Sequence, residues 1–130
     1  MVIEEGLYAY LAAYAGLTAL VSDRIYPLKA PEDAAYPLVV YQRISGPRVY
    51  SHDGASGLTH PRFQLTSWGD IYPDAKAVAK QVQLALSGFS GTMGDDVAVD
   101  ACFLVNELDR YDQETKRWGI IQDYMIWHHE

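Results

Sequence analysis

The sequence predicts an α+β domain: an antiparallel sheet built from two hairpins, with two main helices packed on it. Three observations predict this. "IEEGLYAYLAAY" and "DIYPDAKAVAKQVQLALSG" place apolar residues at helical spacing. "LVVYQRIS", "RFQLTSW", the alternating Val97–Val105 stretch and "RWGIIQDYMIWH" are rich in β-branched and aromatic residues. Glycine- and charge-rich connectors separate them, which gives the order helix, hairpin, helix, hairpin.

Each element has its own signature. Ile3, Leu7, Tyr10, Leu11 and Tyr14 form the first helical stripe, with Glu4 and Glu5 in the first turn, where the helix dipole favours acids. Gly16 is a natural stop, although "GLTALV" has room for one more short turn. "SDRIYPLKAPEDAAYP" carries three prolines and reads as an irregular connection. In "LVVYQRIS", Val39, Tyr41 and Arg43 oppose Leu38, Val40, Gln42 and Ile44; in "RFQLTSW", Phe63 and Leu65 share a face. Between these two strands runs "GPRVYSHDGASGLTHP". Strand-like residues flank its Gly- and Ser-rich centre, so it reads as the end of a long protruding hairpin with its tip near residues 53–57.

The second helix puts Ile71, Ala75, Val78, Ala79, Val82 and Leu86 on one stripe and Lys76, Lys80, Gln81 and Gln83 outward. Asp70 suits its N-cap, Pro73 its first turn, and Gly88 its end. "FSGTMGDD" is a loop. Val97, Val99, Ala101, Phe103 and Val105 alternate along a third strand, "DRYDQETK" reads as a solvated turn, and the fourth strand follows.

With 130 residues, the chain makes one domain with a real core, spanning 1–130. Apolar residues make up 49%, and no apolar run nears the roughly 20 that a membrane span needs. The first residues carry acids where a signal peptide would carry Lys or Arg, so they read as structure. The single cysteine, Cys102, excludes an internal disulfide framework and fits a reducing cytosol. A net charge of −7 argues against a dedicated nucleic-acid binder, whose affinity comes largely from neutralising phosphates. It is compatible with DNA passing an acidic wall without sticking. Ten tyrosines suit interfaces as well as cores.

The residue types of catalysis are present without their geometry. Ser51, His52, Asp53, Ser56 and His60 crowd one hairpin, whereas a triad draws its members from separate parts of a fold, each with its own support. Adjacent strand residues also point to opposite faces. His52, His60, His128, His129 and Glu130 lack a zinc-site spacing, and Asp109, Asp112 and Glu114 do not match a calcium loop. "GFSGTMG" runs from helix to strand, opposite to a phosphate-cradling loop. Cys102 reads as a small core residue. The expectation is no catalytic residue, no metal and no cofactor.

Two long stretches resemble one family in order and spacing. "LTALVSDRIYPLKAPEDAAYPLVVYQRISGPRVYSHDG" is similar to the first half of the tail-completion (tail-to-head joining) proteins of long-tailed phages and prophages. "RFQLTSWGDIYPDAKAVAKQVQLALSG" and "YMIWHHE" are similar to the second half. The resemblance implies a virion structural protein, made in the host cytoplasm, that forms a six-fold ring at the head-proximal end of the tail tube. There it would end tube growth and join the tail to the head connector. Its implied partners are further copies of itself, the tail tube protein and the head completion or connector protein, with DNA passing through the lumen and no membrane. Tail terminators look similar.

A long two-stranded arm is marginal in water until a neighbour covers it. Arg48, Tyr50, His52 and Asp53 are therefore the expected subunit or tail contacts, Arg and Tyr combining area with directed hydrogen bonds. The rival reading is a small ligand-binding or enzymatic domain that uses the 46–61 loop as a lid. It requires a concave pocket with convergent polar groups.

Overall fold

Three helices, rather than two, accompany the sheet in the computed structural model: α1 (Ile3–Ala12), α2 (Ala15–Val21) and α3 (Tyr72–Leu86). The structure describes the backbone of residues 1–46, 48–51 and 54–130, and side chains for residues 1–46 and 57–130. In α1, Glu5 accepts a hydrogen bond from the Val2 backbone N–H at 3.1 Å and so satisfies one free donor of the first turn. Ile3, Leu7 and Leu11 are buried, and the Tyr10 hydroxyl ties the helix to α3 by donating to the Ala85 carbonyl at 2.6 Å. Gly16 does not stop this helix, which ends at Ala12; it lies in the first turn of α2. The carboxamide of Gln81 from α3 lies against it, where a Cβ would otherwise sit.

The strands are β1 (Ile25–Pro27), β2 (Leu38–Ser45), β3 (Arg48–Ser51), β4 (Gly54–Thr59), β5 (Arg62–Gly69), β6 (Gly91–Met93), β7 (Val97–Asp112) and β8 (Arg117–His129). The sheet path is β1-β2-β5-β8-β4-β3, with β7 beside β8 and β6 beside β7. β1 runs parallel to β2, so the sheet is mixed, and the expectation of a purely antiparallel, two-hairpin sheet is corrected. The centre is β8. β7 lines one of its edges; β5 and then β4 line the other, β5 against residues 118–125 and β4 through Leu58 with His129 and Thr59 with His128. At the junction Pro61 cannot donate to the ladder, yet its carbonyl accepts from the Ile126 N–H at 3.0 Å. The pairs Ser45 with Arg62 and Arg48 with Thr59 keep one offset, so β3 with β4 extends β2 with β5.

One sheet face carries the core. Phe63 and Leu65 of β5, Tyr124 and Ile126 of β8, and Val78, Val82 and Leu86 of α3 are all fully buried there. Each such side chain contributes roughly 1.5–3 kcal/mol. The expected N-cap of α3 is also corrected. Ile71 holds that position without a side-chain bond, and the Asp70 carboxylate instead forms an ion pair with Arg117, Nε lying 2.8 Å away. Gly88 ends the helix in the left-handed region (φ +79°), and its N–H donates to the Cys102 carbonyl on β7 at 2.9 Å.

β7 departs furthest from its expected form. It continues to Asp112, so the first half of the expected "DRYDQETK" turn is strand, and only residues 113–116 turn. Two register shifts, between Val99 and Ala101 and between Leu104 and Asn106, each insert one extra residue. Val97 and Val99 therefore face the core, but beyond the first shift Cys102 is buried and Phe103 is exposed. A single alternating face from Val97 to Val105 does not exist.

Candidate assembly surface

The structure separates the residues that suggested chemistry. Arg48 and Tyr50 lie on β3, opposite Thr59 and Ala55. His52 and Asp53 lie outside the described residues. His60 stacks on Trp127, with ring centroids 4.1 Å apart and planes 22° apart. His128 faces the core at 3% exposure, while its neighbour His129 turns outward to Asp100 at 3.0 Å. Asp109 accepts from the Tyr72 hydroxyl at 2.8 Å and lies 3.4 Å from Lys76 Nζ; Asp112 accepts the Glu114 N–H at 3.0 Å. Among the described residues no three of His, Cys, Asp and Glu gather as a metal site.

Two buried groups give direct checks on the core. Burial pushes the Cys102 thiol up to about 12. We expect the native protein to resist a thiol-reactive dye at pH 8 and the unfolded chain to react at once. Rapid native labelling would show that β7 leaves its place against β8. His128 is held below the ordinary imidazole value, first by burial and then by Arg43, against the opposing pull of a His129 backbone hydrogen bond and of Glu130 and Glu4. The unfolded chain thus binds a proton at this site more readily than the folded one does. Its contribution to stability is complete above pH 6.5 and is lost as pH falls through the lower folded value. We expect the melting temperature to drop from pH 7.5 to 5, and a His128→Gln variant to show a shallower drop; equal slopes would contradict the assignment.

Beside this histidine is a cleft of about 240 Å³, lined by Glu4, Arg43, Thr59, His128 and chain-end residues. A lid over it is what the rival reading requires. Its charged groups are turned to one another, with Arg43 Nε 3.3 Å from the Glu4 carboxylate and His129 on Asp100.

A more extensive surface lies on the other side of the molecule. Residues 105–111 of β7 are exposed without interruption, although Tyr72 and Lys76 of α3 reach Glu107 and Asp109 on one face. β7 pairs only with β8 and β6, and β6 reaches no further than Val99. Beyond the Gly88 bond to Cys102, no other described backbone group outside the sheet covers the outer edge of β7. Phe103, Val105, Leu108 and Tyr111 are 44–52% exposed along it, and Trp118 packs on Tyr111 at 4.7 Å. At the base, Lys76 Nζ sits 3.8 Å from Glu107 and 3.4 Å from Asp109 and anchors the arm to α3. Next to it on the helix-free face of the sheet, Arg62 grips Asp123 through Nε (3.1 Å) and Nη2 (2.7 Å), and Gln64 donates to the other carboxylate oxygen at 3.3 Å.

None of Phe103, Leu108, Tyr111 or Trp118 was singled out as a contact by the sequence. A signal existed. The thirteen residues of β8 need a partner of similar length, and the alternating run ending at Val105 is too short to supply it.

The family described as tail completion protein gp17 matches residues 5–129. In three dimensions the chain is similar to a chain of a structure titled "Virion of native gene transfer agent (GTA) particle", with a TM-score of 0.80 and 21% identity. The match covers 95% of this chain and 92% of that one. Among curated proteins none matches.

Proposed function

The chain belongs to the tail completion protein gp17 family and is a tail structural protein, and from that premise we propose that it forms a closed ring at the head-proximal end of the tail tube. The ring ends tube growth and docks onto the head connector, leaving a lumen through which DNA passes. The observation that carries this reading is the uncovered β7 arm. A strand with exposed apolar side chains and an open edge is a liability in a free monomer and an asset in an assembly. The end of the first hairpin, with Arg48, Tyr50, His52 and Asp53, supplies the second contact, since a heterologous ring needs two unlike patches on each subunit. The protein acts by shape and contact, without catalysis or cofactor. The net charge of −7 keeps passing DNA from adhering.

Deleting the gene from the phage or prophage that carries it, then imaging the particles, tests the role. Filled heads beside detached tails are the expected result. Joined particles of normal form would refute it.

A further inference from the structure

Resting on the ring reading, we propose that the 26–31 turn of one copy, with Leu28 at its tip, docks on the β7 arm of the next, the strands standing along the ring axis. The turn is built to present this leucine. Leu28 has φ +66°, and the Lys29 N–H donates across it to the Pro27 carbonyl at 2.7 Å. A three-residue turn of that hand is rare and strained, the more so around a bulky residue. The Leu28 N–H donates to the Tyr41 carbonyl at 2.9 Å, which holds the turn against β2. The side chain so placed is 69% exposed, more than any other large apolar side chain described. Tyr26, Pro27, Ala30 and Pro31 line an open groove with it. Strain that gains no packing within the subunit points to a use outside it.

The sheet itself selects a second copy as the occupant. Pairing runs in one row from Pro27 through Tyr41, Leu65 and Gln122 to Glu107, so the turn and the arm lie level at opposite edges of β1, β2, β5, β8 and β7. Copies related by rotation alone are not shifted along the axis. A contact between level points at opposite edges therefore closes into a ring instead of climbing as a helix. The β1 edge is closed to an added strand: Pro27 has no N–H, its carbonyl is taken by Lys29, and the Ile25 N–H donates to the Asp23 carbonyl at 2.9 Å. The contact is one of side chains. The arm has the area for it. Phe103, Tyr111 and Trp118, 39–52% exposed, leave roughly 200–350 Å² uncovered, to which Val105 and Leu108 add. One side of a standard interface is about 800 Å², a little over half of it apolar. The end of the first hairpin joins β8 only at His128 and His129, far along the strand from this row, and is left for a separate contact.

Leu28→Gly removes the side chain and suits the positive φ, so this variant should melt within a few degrees of the wild type. In a deletion strain it should restore joined particles at least about tenfold less well than the wild-type gene. Leu28→Cys and Leu108→Cys in one chain, treated in joined particles with a thiol-to-thiol cross-linker, should give a ladder of multimers, and neither substitution alone should give one. The native Cys102 is buried and stays out of the reaction. A Leu28→Gly variant melting far below the wild type would make Leu28 a folding residue and overturn the proposal, as would dimers cross-linked through Leu108→Cys alone. If deletion detaches tails but Leu28→Gly complements fully and the double variant gives no ladder, this contact is wrong and the ring reading stands. If deletion leaves particles joined, the tail reading itself has failed.

Discussion

Leu65→Asp is expected to abolish folding. Leu65 is fully buried on β5, paired with Tyr41 of β2 on one side and Gln122 of β8 on the other. Strands flank it on both sides and the core covers its face, so water cannot reach the new carboxylate without opening the sheet. No described cation lies on that face beside it; the nearest basic group along β2, Arg43, is already turned to Glu4. An unpaired buried charge is among the few single changes that cost more than about 4–5 kcal/mol. A domain of this size has roughly 5–15 kcal/mol in all. The variant should express as insoluble or unstructured protein without a cooperative melt. A soluble variant melting near the wild-type temperature would mean that the faces of β5 are reversed.

Arg62→Ala should lower stability by about 2–3 kcal/mol. The Asp123 side chain is 10% exposed and receives both guanidinium bonds from Arg62, so removal of the arginine leaves a nearly buried carboxylate with Gln64 alone. Truncating one partner of a fully buried pair costs about 3–5 kcal/mol. Arg62 is 35% exposed, and the water that then enters its place lowers the cost. Adding Asp123→Asn should recover part of the loss, because the neutral amide no longer needs a counter-charge. Chemical denaturation of the single and double variants measures both values. A single variant as stable as wild type would show that the pair contributes nothing, and a double variant less stable than the single one would show that charge is not the cause.

The sequence made the elements legible where local chemistry decides them. The α3 stripe from Ala75 to Leu86, the pairing faces of Phe63 and Leu65, and the stop at Gly88 follow from spacing and backbone preference. The topology did not follow, because it depends on which distant edges meet. Nothing local in "DRIYP" tells a parallel strand from a connection; β1 exists because β2 offers it an edge. The bulges in β7 were equally hidden, since a one-residue shift leaves composition unchanged and moves every later side chain to the other face. That hid the exposure of Phe103 and made the run after Val105 look like a turn. Asp70 shows the same limit at one residue. Its type and place suited an N-cap, but a strongly basic neighbour brought in from β8, Arg117, took its carboxylate.

The two parts of the proposed surface differ in how far the sequence pointed to them. Chain pattern alone pointed to the hairpin end around Arg48 and Tyr50. The β7 arm emerged only once the exposed side chains and one edge of the strand could be seen to lack cover.

The most direct test of the account is a cryo-electron reconstruction of the intact particle at the head–tail joint. This fold should repeat in a closed ring between tube and connector, with the exposed β7 arm of each copy covered by a neighbouring protein chain. The fold found elsewhere in the particle, or absent from it, would contradict the account.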